Sequence, residues 1–184
     1  MGRCLHVVYE ILPPSDNHIR SVQYRMVRGK RKAVIGYTKE AEDYKNAFVQ
    51  TIGDDFFDAI QEFAAGHKPW MVYRLEILLC FPPTQLLNKG WLEKWASDSR
   101  PGTKIPHKKG ERKAKTPYKG LDTLNRRKLL EDGLSEAIAI DDSLFWESGG
   151  VKLVLSDCDP RVELILEEIP PALYGIPPEY TDDA

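Results

Sequence analysis

MVYRLEILLCF, residues 71–81, is the stretch from which the rest of the chain can be read. Tyr73, Leu75, Ile77 and Leu79 alternate with Val72, Arg74, Glu76 and Leu78, the two-residue period of a strand with one face on a core. Pro82-Pro83 closes it, since proline has no N–H to give to a ladder. Upstream, Ala41, Tyr44, Phe48, Ile52, Phe56, Ile60 and Phe63 recur at three- or four-residue spacing, which predicts one amphipathic helix from an N-cap at Thr38 to about Gly66. Downstream, Leu124, Leu129, Leu130, Leu134, Ala137 and Ile138 predict a second helix over Asp122 to Ala139.

Further out, His6 to Leu12 reads as a strand stopped by Pro13-Pro14, and Ser15-Asp16-Asn17 as a turn. Val22 to Val27 and Lys32 to Tyr37 flank Arg28-Gly29-Lys30-Arg31 as a hairpin with a basic tip. Leu144-Phe145-Trp146, Val151 to Leu155 and Val162 to Ile169 read as two or three closing strands. The order β, hairpin, α, β, α, β, β predicts an α+β single domain, a mixed sheet packed by two main helices. That domain runs over residues 1–169, with a long basic insertion at about 84–120 holding a short helix near Trp91 and Trp95. Residues 170–184, punctuated by Pro170, Pro171, Pro177 and Pro178, form an irregular acidic tail.

A chain of 184 residues is long enough for one hydrophobic core and too short for two ordinary domains. No apolar run reaches the roughly 20 residues that span a bilayer, so no membrane is expected. The opening Met1-Gly2-Arg3-Cys4-Leu5-His6 lacks a secretory pattern, which places the chain in the cytoplasm. Cys4, Cys80 and Cys158 are odd in number and far apart, which reads as buried reduced thiols rather than a disulfide framework or zinc site.

The net charge of -2 hides a segregation along the chain. Arg20, Arg25, Arg28, Lys30, Arg31 and Lys32 make one basic stretch without an acid. Arg100, Lys104, Lys108, Lys109, Arg112, Lys113, Lys115 and Lys119 make another, against the single acid Glu111. From Asp157 onward acids dominate. Two basic segments on an acidic chain point to a face that binds a polyanion, although each alone also reads as a solvated loop.

The chemistry concentrates in Lys119-Gly-Leu-Asp122-Thr-Leu-Asn125-Arg-Arg-Lys128 and in Asp141-Asp142 beyond the helix. If the chain folds back after that helix, Asp142 approaches Asp122 and the Lys128 face. Two carboxylates and a lysine are the equipment for Mg²⁺-assisted phosphodiester hydrolysis: hard oxygens hold the ion while leaving it waters, and the lysine adds a positive point charge. Singly, Asp122 also reads as an N-cap, Asp141-Asp142 as a turn, and Lys128 as a solvated helix residue. No P-loop, HExxH, GxSxG or dinucleotide-binding glycine pattern competes, and His6, His18, His67 and His107 have no metal-ligand spacing.

Three motifs in order resemble the RusA family of Holliday junction resolvases, small phage- and prophage-associated endonucleases. Leu12-Pro13-Pro14-Ser15-Asp16-Asn17-His18-Ile19-Arg20 is similar to the family's PPSxN opening. Asp122-x-x-Asn125-x-x-Lys128, with Asp132 and Leu134 one turn on, is similar to its D-x-D-N-x-x-K-x-x-x-D-x-L helix. Asp141-Asp142 resembles the DD that opens the next strand, and Lys152 falls where the family keeps a lysine.

The resemblance implies a RusA-like fold and a homodimer that resolves four-way junctions in branched DNA by paired nicking, a hydrolase of DNA recombination and repair. It implies Mg²⁺, with Mn²⁺ as a substitute, held by Asp122 and Asp142 with Asp141 as a further oxygen donor, and Lys128 beside the scissile phosphate. Asn17, Arg20, Arg28, Lys30, Arg31 and Lys152, with Lys108, Lys109, Arg112, Lys113, Lys115 and Lys119 of the basic loop, are expected on DNA. The departure is Leu124, where the family pattern carries a second aspartate. A leucine cannot ligate a metal, which keeps open a relative that binds branched DNA without cutting it. A third reading is an interaction protein whose basic loop meets an acidic partner.

Overall fold

The computed structural model describes residues 2–15, 18–68, 71–87, 123–155, 159–169 and 173. Within them lie β1 (Cys4–Tyr9), β2 (Arg20–Val27), β3 (Lys30–Tyr37), α1 (Lys39–Asp55), α2 (Phe57–Ala65), β4 (Val72–Phe81) and α3 (Pro83–Leu86). Then follow α4 (Leu124–Ile138), a 3-10 turn (Asp142–Leu144), β5 (Glu147–Leu155) and β6 (Arg161–Ile169). The expected α+β class with a mixed sheet is observed. No helix among the described residues is long and apolar enough to cross a membrane.

β4 lies inside a four-stranded sheet of order β1-β6-β4-β5, antiparallel except for the parallel β4–β5 pair. A parallel neighbour requires a crossover, and α4 lies on it. The alternation that singled out residues 71–81 is realised: Tyr73, Leu75, Ile77 and Leu79 are fully buried. They meet Leu5 and Val7 of β1, Leu164 and Leu166 of β6, Phe48 and Ile52 of α1, and Leu130 and Leu134 of α4 in one core. On the opposite face Arg74 pairs with Glu147 at 2.5 Å, and Lys152 with Glu76.

Several boundaries differ from expectation. The single helix predicted from Thr38 to Gly66 is two, interrupted at Phe56 (φ -116°, ψ 20°). Asp54 and Asp55 sit in the last turn of α1, where the helix dipole opposes negative charge, and the break puts Asp58 in the first turn of α2, where it is favoured. Thr38 is the N-cap as predicted, its hydroxyl accepting from Ala41 N at 3.2 Å.

The hairpin is tighter than read. Its turn is Arg28-Gly29 alone, with φ of 50° and 74°, the two positive values that let a two-residue loop follow the twist of its strands. Leu144-Phe145-Trp146 is not a strand, because the 3-10 turn consumes Leu144 and Phe145 N bonds back to Asp142 O at 3.0 Å. β2 and β3 form a separate two-stranded sheet rather than joining the main one. Cys80 is buried but Cys4 is exposed, against the expectation of buried thiols, because its β1 position faces away from the core. Cys158, the 91–95 helix, the basic loop and the acidic tail apart from Leu173 lie outside the described residues.

α1 and α4 cross at Gly133, where a Cβ would lie 2.8 Å from Cδ1 of Phe48. Phe48 is fully buried, edge-on to Tyr9 at 5.2 Å between centroids, and has nowhere to retreat. Gly133→Ala is therefore expected to destabilise the fold. The overpacking cost of about 1–3 kcal/mol outweighs the ~1 kcal/mol gained in helix propensity. A lowered urea midpoint at unchanged slope checks this.

Candidate functional site

The site grows from the two faces of α4. Leu129, Leu130, Leu134 and Ile138 are buried, so Lys128 and Asp132, one turn apart, are left along the rim of the buried face. Their side chains pair at 2.8 Å. Ten residues of helix separate Lys128 from Ile138, roughly 15 Å of rise, which the chain must retrace to bring Asp142 back. Ala139 makes the reversal in the left-handed region at φ 55°. Buried Ile140 anchors the return, and Ser135 Oγ donates to Ile140 O at 2.7 Å. Asp141 is extended, and the chain enters the 3-10 turn at Asp142. The lysine stem closes the remainder, and Lys128 Nζ donates to Asp142 Oδ2. The fold-back that the sequence required of Asp142 is thus present toward Lys128.

A third element completes the cluster. Tyr37, at the end of β3, donates its hydroxyl to Asp132 Oδ2 at 2.5 Å. Ile19, Ala41 and Leu129 form a small core of their own against which Tyr37 packs, and this holds the hairpin base on α1 and α4. Thr38 N bonds to Ile19 O at 2.9 Å, which locks the two hairpin ends together. The result is a continuous chain of contacts from Tyr37 through Asp132 and Lys128 to Asp142.

Electrostatics follow from that chain. Burial first, then the hydrogen bond to Asp132, pushes the Tyr37 hydroxyl well above the usual tyrosine range. Hydrogen bonds to Asp132 and Asp142 hold the Lys128 ammonium protonated well beyond the ordinary lysine range. Asp141 points away from this cluster in its bonding: its Oδ1 accepts from Ser143 N at 2.8 Å, capping the 3-10 turn, and this bond lowers its pKa.

The opening motif is drawn to the same end of α4. Arg126, buried within that helix, donates from Nε to Pro14 O at 3.1 Å and lies 5.7 Å from the Phe81 ring centroid. Arg20 sits beside the site, its guanidinium 5.8 Å from the Tyr37 ring centroid. Arg28, Lys30 and Arg31 are exposed at the far end of the hairpin. Lys152 is on the outer face of the sheet, engaged with Glu76, and so stands apart from the Lys128 cluster. Leu124 is 72% exposed at the first turn of α4. Asn17, Asp122, Lys108, Lys109, Arg112, Lys113, Lys115 and Lys119 lie outside the described residues.

Among the described residues no three His, Cys, Asp or Glu side chains gather as a metal-holding group. The carboxylates that do converge, Asp132 and Asp142, are both engaged by Lys128. Sequence reasoning missed Tyr37, which no local pattern marks because its partner lies 95 positions away. It also missed Arg126, where a buried arginine on the apolar side of a helix breaks the amphipathic pattern. No family model matches this chain, and no curated protein matches it in sequence.

The cluster sets an alkaline limit. Lys128 and Tyr37 both hold their protons more tightly folded than unfolded. Their stabilisation is complete below the unfolded values of about 10 and is lost as pH rises through the raised folded ones. Tyr37→Phe is expected to cost about 1 kcal/mol at neutral pH, the worth of one hydrogen bond, and to shrink the alkaline loss of stability. Urea unfolding of both proteins across that pH range measures it.

Proposed function

We propose that this chain is a Mg²⁺-dependent endonuclease of the RusA type that nicks branched DNA as a homodimer. The observation that carries the reading is the ion cluster of Lys128, Asp132 and Asp142 on α4 and the turn that follows. All three positions belong to the motifs that resemble the family, and the Pro14 end of the remaining motif is tied to the same helix by Arg126. The donors are hard oxygens, which suit an ion commonly held by one or two carboxylates while it keeps its waters. Asp142 and Asp122 are the proposed ligands. When bound, Mg²⁺ would make a bound water more acidic and would stabilise charge on the attacked phosphate.

The chain's own groups do the rest. Asp132, fixed by the Tyr37 hydroxyl, holds Lys128 through the one-turn pair, so the ammonium keeps its place when Asp142 turns to another partner. Lys128 then presents a fixed positive charge to the phosphate, worth most where charge builds in the transition state. Arg20 at the hairpin base and Arg28, Lys30 and Arg31 at its end grip phosphates, as do the basic residues of the 100–119 loop. A two-fold dimer would present two such sites to opposed strands of a junction.

A second reading rests on Leu124, an exposed apolar residue where a carboxylate would complete the donor set. On that reading the chain binds branched DNA without cutting it. Cleavage of a labelled four-way junction with Mg²⁺ and with Mn²⁺ separates the two. Paired nicking, reduced about 100-fold or more in Lys128→Met and in Asp142→Asn, is the expected result for the nuclease. Binding without nicking, with cleavage appearing in Leu124→Asp, would establish the second reading. Absence of binding at low salt would overturn both.

A further inference from the structure

The β2–β3 ribbon carries a feature that phosphate binding does not explain. Cα partners across it are Val22 with Ile35, Tyr24 with Ala33, and Met26 with Arg31, all on one face by the two-residue period. Val22, Tyr24, Met26 and Ile35 are 61–69% exposed, a run of large apolar side chains on a two-stranded sheet that pairs with no other strand among the described residues. A contiguous apolar face left in water marks an interaction surface. The ribbon's own charge is of one sign. From Ile19 to Lys39 the sequence contains no Asp or Glu, while Arg28, Lys30, Arg31 and Lys32 crowd the turn. Arg31 lies 4.6 Å from the Tyr24 ring centroid, so cation and aromatic plane are already combined.

Apolar anchors beside an all-cationic turn select an occupant that offers flat apolar surfaces inside a polyanion, which is what unstacked nucleobases on a phosphate backbone are. A second copy of the same ribbon packed turn to turn is disfavoured, because it would bring two cationic turns together. The base of the ribbon is the Tyr37 that contacts Asp132, and eight residues of strand reach roughly 25 Å from there to the turn. A two-stranded ribbon also fits a DNA major groove, about 12 Å wide.

We propose that the Val22, Tyr24, Met26 and Ile35 face receives unpaired bases at a DNA branch point, with Tyr24 as the stacking residue. This rests on the nuclease or DNA-binding reading above and adds to it what distinguishes branched from linear DNA. The full-length protein is titrated against a four-way junction carrying 2-aminopurine beside the crossover, against the matched linear duplex, and against phosphatidylserine vesicles. The wild-type protein is expected to raise 2-aminopurine fluorescence on the junction and to bind it in preference to the duplex. Tyr24→Ala is expected to abolish the fluorescence rise and cut that preference about tenfold, the size of losing one base–aromatic stack. Tyr24→Phe, which keeps the ring, is expected to retain both, and this separates a lost stack from a damaged fold.

Junction binding with unchanged 2-aminopurine fluorescence, and with Tyr24→Ala behaving as wild type, overturns the ribbon proposal and leaves the broader reading standing. Absence of binding to either DNA overturns both. Tighter binding to the vesicles than to the junction, or a Tyr24-dependent dimer with no change on DNA, assigns the face to another occupant and overturns it also.

Discussion

Helix α4 can lie against α1 only because position 133 carries no side chain, and nearly everything at the candidate site depends on that contact. Phe48 fills the space a Cβ would take. The close approach fixes the rotation of α4 about its axis. Leu129, Leu130 and Leu134 then go inward, and Lys128 and Asp132 emerge at the edge. Lys45 and Glu136, paired at 2.7 Å across the same two helices, reinforce the rotation from the solvent side, where an ion pair alone contributes little.

With α4 set, the remaining pieces converge by short-range chemistry. Ala139 in the left-handed region turns the chain, and a 3-10 turn capped by Asp141 holds Asp142 beneath Lys128. From the other side, Thr38 and Ile19 seat the hairpin so that Tyr37 reaches Asp132. Four residues from three separated stretches share one hydrogen-bonded network. Such networks hold geometry well when every member is satisfied, and here each charge faces an opposite charge or a donor.

Much of the scaffold was legible beforehand. β4, Thr38 as a cap, α4 and β6 were readable because strand and helix periods are local properties of the backbone, and their apolar positions lie in or against the core, except Leu124, which the first turn of α4 leaves exposed. The division of the long helix at Phe56 was missed because the apolar stripe continues across the break, so periodicity could not register it. The two-residue turn was missed because Arg28 adopts a positive φ that a non-glycine residue seldom takes. Lys128 and Asp142 were recognised as candidate partners, whereas Tyr37 was invisible. Its role depends on a hairpin docking against a helix that begins nearly ninety residues later, and no spacing rule spans that distance.

The amino-acid sequence by itself determined the α+β class, the identity of the core strand, the segregation of basic and acidic stretches, and the residue types available for chemistry at 128, 132 and 142. It could do so because hydrophobic period and charge pattern are written residue by residue. Only the tertiary structure decided that the hairpin stands apart from the main sheet with an apolar face in water, that Asp141 caps a turn while Asp142 meets Lys128, and that Tyr37 completes the cluster. Those outcomes depend on how separated segments pack in three dimensions, where a missing Cβ or a single left-handed residue redirects side chains far away along the chain.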